Sequence, residues 1–224
     1  MSFYPICLDL EAKPCVVVGG GKVAERKVLG LLSCSAHVSV VSPELTEELS
    51  RQHNEGIIQW IKREYRPGDL ERAFLVIAAT DDEETQKQVY EEAGAHNILL
   101  NVADVPQRCN FILPATVRQG DLSISISTAG KSPALARKLR LELEKRFGAE
   151  YRVLVDILGA IRPVILAACL EQTENEQLFK QLQHDEMTEW IRNKDWLSLE
   201  NHFEIVLGNR VGHDWLQKIR PFYT

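Results

Sequence analysis

Val16-Val17-Val18-Gly19-Gly20-Gly21-Lys22-Val23-Ala24 is the stretch that decides the fold. Three β-branched residues run straight into a G-x-G-x-x-A pattern, and residues 22–32 that follow are helix-compatible, so the glycines stand where a buried strand turns into a helix. In that context each position has a steric task. Gly19 permits the tight turn, Gly21 lets the backbone approach a pyrophosphate, and Ala24 lets helix and strand pack closely. The free amides and dipole at the helix start then favour a diphosphate. A triphosphatase-type phosphate loop is excluded by position, because it requires glycine where Val16 stands and Ser or Thr where Val23 stands.

Working outward, short β-branched runs recur at 15–18, 37–41, 57–61, 74–79 and 98–102, separated by polar helix-compatible segments at 22–32, 44–53 and 82–95. This alternation predicts an α/β domain, a Rossmann-type doubly wound parallel sheet with crossover helices. After Pro106 the pattern changes. Residues 111–118 and 122–128 flank Gln119-Gly120-Asp121 and predict a hairpin. A helix over 134–147 follows, with Ser132 as cap, Pro133 in its first turn, leucines at 135, 139 and 143, and Gly148 as its stop. From residue 150 onward the strand signals vanish. The rest predicts an all-α domain broken at Pro163, at the polar stretch 172–176, at Gly208 and at Gly212, with Trp190, Trp196, Phe203 and Trp215 in its core. The expected division is 1–112 for the dinucleotide-binding domain, 113–148 for a hairpin-and-helix dimerisation and substrate region, and 149–224 for the helical domain.

A net charge of −6 and a pI near 5.6 argue against a general nucleic-acid binder. The charge is uneven, however. Residues 108–152 hold nine basic side chains against four acids, whereas 171–204 hold nine acids against three basics, so an anionic ligand would be met by the middle of the chain. The five cysteines, Cys7, Cys15, Cys34, Cys109 and Cys169, form no C-x-x-C pair, which suits a reducing, cytoplasmic compartment. Neither a signal peptide nor a membrane span is expected, since the start lacks a basic region and no window approaches about 18 uncharged apolar residues. The histidines at 37, 53, 96, 184, 202 and 213 show no ligand spacing, and no permanent metal site is expected.

Open α/β sheets bind ligands at the carboxyl ends of their strands, which nominates Ser42, Pro43 and Glu44 after the second run, Thr80 and Asp81 after the fourth, and Asn101 to Asp104 after the fifth. Either Glu44 or the backbone of 42–44 would hold a ribose; no arginine stands at that strand end to take a 2′-phosphate, which favours NAD over NADP. Asp104 in a partly desolvated cleft would suit the proton that accompanies hydride transfer, and would equally serve as a turn residue ahead of Pro106.

Val17-Val18-Gly19-Gly20-Gly21-Lys22-Val23-Ala24-Glu25-Arg26-Lys27, Asn101-Val102-Ala103-Asp104, Cys109-Asn110-Phe111-Ile112-Leu113-Pro114-Ala115 and Ser127-Thr128-Ala129-Gly130-Lys131-Ser132-Pro133 together resemble the precorrin-2 dehydrogenases of siroheme synthesis. The resemblance covers about residues 1 to 150. It looks like the stand-alone form: the chain ends at Thr224, so the methyltransferase part of the trifunctional siroheme synthases is not expected. What the resemblance implies is NAD-dependent oxidation of precorrin-2 to sirohydrochlorin in a homodimer, in some members followed by insertion of ferrous iron. The family's nucleotide contacts fall on Gly21, Lys22, Val23, Pro43 and Glu44, and its essential aspartate on Asp104, which would also be the transient hold for a ferrous or cobaltous ion. Substrate contacts are expected from Asn110, Thr128, Lys131, Ser132 and Arg137; Thr128 stands where some members carry serine, so a role that needs serine itself is not carried over. Precorrin-2 bears eight carboxylates, which suits Lys131, Arg137 and the helix start at Ser132. Two other readings compete: an NAD-binding redox-sensing regulatory domain, and a tetrapyrrole carrier without chemistry.

Overall fold

Strand β1 (Pro14–Val18) is the middle of a five-stranded, wholly parallel sheet of order β3-β2-β1-β4-β5, with β2 at His37–Val41, β3 at Gln59–Ile61, β4 at Leu75–Ala78 and β5 at Leu99–Val102. The computed structural model describes residues 3–168, 171–208, 211 and 214–223; Cys169, Gly212, His213 and Thr224 lie outside the described residues. Contacts group the chain into two compact units, Met1–Leu113 and Pro114–Thr224.

In the first unit the period-2 alternation of a strand feeds two separate cores. Cys15 and Val17 of β1 point to the face covered by helix α1 (Lys22–Leu32), which buries Ala24, Val28 and Leu31 there. Val16 and Val18 point to the opposite face, covered by α3 (Glu83–Ala95) with Val89 and Ala93. Each fully buried valine contributes about 1.5–3 kcal/mol of transfer free energy, so an uninterrupted Val-Val-Val run is favourable only in a strand covered on both faces. Chain order runs outward from β1 to β2 and β3 on one side and from β4 to β5 on the other, so the switch point lies between β1 and β4.

Two elements are shorter than the sequence predicts. Helix α2 is Glu47–Asn54, starting after residue 44, because the Thr46 hydroxyl accepts from Leu49 N at 3.3 Å and caps the helix there. The third strand begins at Gln59 because Gly56 takes a positive φ and the amides of Ile57 and Ile58 turn back to the Gln52 carbonyl.

The second unit opens with an antiparallel hairpin, β6 (Ala115–Gln119) and β7 (Leu122–Ile126), closed by Gly120 at φ 58 and Asp121. Strand β6 is confined to the segment after Pro114, shorter than the predicted 111–118, and Phe111 packs into the first unit's core instead. Helix α4 (Pro133–Arg146) starts on its expected cap, where Ser132 Oγ accepts from Leu135 N at 3.2 Å. Then come α5 (Glu150–Ala167), α6 (Gln172–Leu182), α7 (Met187–Asn193), α8 (Trp196–Leu207) and α9 (Trp215–Ile219), around a core that includes Ile157, Ile161, Ile165, Phe203 and Trp215.

Pro163 does not break its helix, contrary to the expectation. It lies on the exposed face of α5, and the carbonyl it leaves without a helical donor belongs to exposed Gly159, while Ile157, Ile161 and Ile165 anchor both halves on the buried face. Nor is 172–176 a break: Glu171 and Glu174 form a reciprocal capping box, so this polar stretch is the first turn of α6. Gly208 does end α8, at φ 48. Among the described residues no helix is long and apolar enough to cross a membrane.

Candidate active site

The glycine turn at the end of β1 is held by its neighbours on both sides. Gly19 has φ 115, and a Cβ there would stand 2.3 Å from the Ala79 carbonyl oxygen at the end of β4. A Cβ on Gly20 would stand 1.9 Å from the Glu44 carbonyl oxygen and 2.7 Å from Ser42 Oγ. The Gly20 carbonyl in turn accepts from Thr46 N at 3.0 Å. Gly21 is different: its backbone is ordinary and extended, and a Cβ would meet no described atom within 4 Å. It is the N-cap of α1 and makes no side-chain cap, so the first amides of the helix point at open space. That is the arrangement a diphosphate requires.

Around this turn, Lys22 holds the Glu25 carboxylate at 3.0 Å, and Glu25 is kept below the usual carboxylate range chiefly by the Thr46 hydroxyl and then by Lys22. Val23 is exposed beside them. At the end of β2, Ser42 is buried and its carbonyl accepts from Trp60 Nε1 at 2.9 Å, whereas Pro43 and Glu44 are exposed. Arg63, just beyond the neighbouring β3, is committed to Asp69 at 2.6 and 2.7 Å. After β4, Thr80 Oγ1 accepts from Asp82 N and the Thr80 carbonyl from Gln86 Nε2 at 2.7 Å, while Asp81 is exposed and Asp82 caps α3.

A cleft of about 280 Å³ opens between α1 and the end of β5. Asn101 and Asp104 line it from β5 and its following turn, and Val23, Arg26 and Lys27 line it from α1. Asp104 has φ 61, a left-handed conformation that aspartate tolerates better than most residues. It is exposed at the rim, where a more desolvated carboxylate was expected. Cys109 closes the turn beneath it: its thiol accepts from Val102 N at 3.2 Å and lies within reach of the carbonyls of Val102 and Val105 at 3.3 and 3.4 Å.

Asn110, expected at the substrate, has another task. Its side-chain oxygen accepts from Leu100 N and its amide nitrogen donates to Ile98 O, both at 2.8 Å, so both ends of the carboxamide cover the outer edge of β5 as a further strand would. Asn101 is oriented by donating to the Phe111 carbonyl at 3.1 Å.

Sequence reasoning missed Arg26 and Lys27. Lys27 is half-buried, and its ammonium is pushed below the usual lysine range mainly by burial and then by Arg26, with Asp104 acting in the opposite sense. The signal was present in the spacing, since 23, 26 and 27 stand at i, i+3 and i+4 and share a helix face.

The remaining candidates belong to the second unit. Thr128 Oγ1 accepts from Ser132 N at 3.0 Å, and Ala129 and Gly130 take positive φ values to complete the turn into α4. Lys131 and Arg137 are exposed, Lys131 in that turn and Arg137 on α4.

Comparison with known proteins gives the same division. A model described as "Putative NAD(P)-binding" matches residues 6–115, and one described as "Sirohaem biosynthesis protein central" matches 119–146. "Siroheme synthase 2" of Yersinia enterocolitica is 35% identical over 205 residues, 91% of this chain and 43% of the relative; the siroheme synthase of Methylobacillus flagellatus is 42% identical over 165 residues, 74% of this chain and 35% of the relative. The solved structure of "SirC, precorrin-2 dehydrogenase" superposes with a TM-score of 0.74 at 26% identity, over 98% of this chain and 100% of that one. The chain belongs to the siroheme synthase family.

It spans less than half the length of the curated siroheme synthases it matches. The match to the family's central segment begins at the end of β6 and stops with α4, so α5 to α9 lie beyond both models and within the stretch shared with SirC.

Proposed function

We propose that this chain oxidises precorrin-2 to sirohydrochlorin with NAD as the acceptor, in siroheme biosynthesis. The observation that carries the reading is the pairing, in one unit of a siroheme synthase family member, of an open, uncapped glycine turn with an exposed carboxylate at the rim of a cleft one strand beyond the switch point. The turn fits the cofactor: a Cβ at Gly21 would meet no described atom within 4 Å, while Gly19 and Gly20 hold the turn tight. Gly21, Lys22 and Val23 would take its diphosphate, and Pro43 with Glu44 its ribose; Thr80, Asp81 and Asn101 stand at the strand ends toward the reacting centre. Bound there, NAD supplies the hydride acceptor.

The protein's own work is positioning and proton transfer. Asp104 accepts the proton lost as the macrocycle is oxidised, and its place at the rim lets that proton pass on to water. Lys131, Arg137 and the Ser132-capped start of α4 attract the substrate's carboxylates. Thr128 sets the turn that presents them. Ferrous iron is proposed as a second substrate, met by the same Asp104 carboxylate; a single hard oxygen ligand holds such an ion weakly enough to let it pass into the macrocycle. The active form is read as a homodimer.

The test is anaerobic incubation with precorrin-2 and NAD, following NADH and sirohydrochlorin by absorbance and then adding ferrous ion. The expected result is NADH formation, followed by metal uptake above a protein-free control. Asp104→Asn, which keeps a residue tolerant of the left-handed conformation, is expected to lower kcat by about a hundredfold or more with NAD affinity and Tm unchanged. Binding of NAD without turnover would return the balance to a sensor or a carrier.

A further inference from the structure

We propose that Arg26 and Lys27 form a carboxylate-binding subsite of the cleft, which grips one peripheral acid chain of the tetrapyrrole and fixes the edge of the macrocycle beside Asp104. This rests on the preceding reading for the identity of the substrate, but the subsite itself is argued from the cleft.

Both cations line the cleft from one face of α1, in the company of apolar Val23, Ile112 and Leu113. Lys27 is half-buried, and among the described residues neither it nor Arg26 forms an ion pair. The contrast with the rest of the first unit is instructive. Lys22 is paired with Glu25, Arg51 with Glu48, Arg63 with Asp69 and Arg108 with Glu83. A partly desolvated ammonium set beside a second cation is unfavourable unless an anion completes it. Asp104 shares the cleft but makes no ion pair with Lys27, which leaves room for a ligand's carboxylate between them.

The nucleotide diphosphate is a poor candidate for this anion. It is placed by the first-turn amides at Gly21 to Val23, whereas Lys27 is five residues beyond Lys22, about 7.5 Å farther along the helix axis, and faces the β5 end of the sheet. The size also discriminates. About 280 Å³ takes an acid side chain and part of one pyrrole ring, not a whole macrocycle. Cationic groups with an apolar wall match such a chain, whose carboxylate is joined to a carbon ring. Arg26 offers a two-pronged donor and Lys27 a point charge, a combination that recognises a carboxylate in a defined orientation.

The experiment uses the full chain and its Lys27→Met, Lys27→Arg and Arg26→Gln variants. Precorrin-2 and NAD kinetics are measured together with the affinity for uroporphyrin, a stable tetrapyrrole with eight carboxylates, followed by fluorescence quenching. For Lys27→Met the expected result is a rise of about tenfold in both the KM for precorrin-2 and the Kd for uroporphyrin, a difference of about 1.4 kcal/mol. The KM for NAD and kcat stay within about twofold, Tm does not fall, and Lys27→Arg recovers most of the affinity. Arg26→Gln moves the same two quantities in the same direction. Unchanged uroporphyrin affinity overturns the proposal, as does a rise in the KM for NAD, which would assign the cations to the nucleotide, or a fall in Tm with loss of both affinities, which would make Lys27 a structural residue. If the unsubstituted chain fails to reduce NAD on precorrin-2 while Lys27→Met still weakens uroporphyrin, the enzymatic reading falls and the carboxylate subsite stands.

Discussion

At the scale of single residues, the three glycines separate what a pattern can announce from what only three dimensions impose. Gly19 and Gly21 were legible because the G-x-G-x-x-A spacing assigns each a task. Gly20 was not, since its necessity comes from the Glu44 carbonyl, twenty-four positions away in the chain and brought close by the loop between β2 and α2. The difference is measurable. Gly20→Ala places a methyl group against backbone on both sides and is expected to cost at least about 3 kcal/mol, seen as a lower Tm. Gly21→Ala adds its methyl group to open space, so Tm should hold while NAD binding weakens by about tenfold in a calorimetric titration. Equal effects of both substitutions on stability would contradict the assignment of Gly21 to the ligand. Asp104 could be nominated from its place after a strand, but its left-handed backbone and its exposure could not, because these depend on how Cys109 ties the turn to Val102 and Val105.

At the scale of elements, the sequence located the strands and helices by periodicity and erred where one side chain overrides a local rule. Thr46 moved a helix start, and three buried isoleucines carried α5 past Pro163. Asn110 was misjudged for the same reason: a polar residue in a functional motif was serving the edge of β5. The connection between β3 and β4 rests on an equally local device. Arg63 donates to both oxygens of Asp69, whose side chain is only 9% exposed, and this hydrogen bonding, helped by Arg66 N, holds the Asp69 carboxyl below its usual range despite burial. A carboxyl depressed in the folded state adds stability that is complete above its unfolded value, near 3.8, and is lost as pH falls through the lower folded value. Arg63→Ala leaves that carboxylate nearly buried and unpaired, so it is expected to destabilise the protein by about 2 kcal/mol at neutral pH. Chemical denaturation from pH 7 to pH 2 should show this cost shrinking as Asp69 protonates. A pH-independent difference would mean that lost packing of the arginine stem, not the charge pair, sets the effect.

At the scale of the whole molecule, the sequence separated an α/β part from a helical part because strand signals stop where the two contact units divide the chain, close to Pro114. It also expected two chains to associate, and the second unit supplies a physical reason. The hairpin β6–β7 is a two-stranded sheet whose outer edges are unpaired among the described residues, and such a ribbon is marginal in water without cover. Beside it in sequence, α4 leaves Leu135 47% and Leu141 43% exposed, although a helix with only one partner would turn its leucines inward. A second copy laid against this surface would cover both defects, and a stable association requires on the order of 1,200–2,000 Å² of total burial. Sedimentation velocity at micromolar concentration should therefore show a species near twice the 25.4 kDa chain mass. The pair Leu135→Glu with Leu141→Glu should convert it to the single chain by setting four unpaired carboxylates in the shared face of the dimer. The first unit's glycine turn is made of that unit's own residues, so NAD binding should persist in the variant. A single-chain species for the unsubstituted protein, or a dimer that survives both glutamates, would place the contact elsewhere and leave those leucines as ordinary exposed side chains.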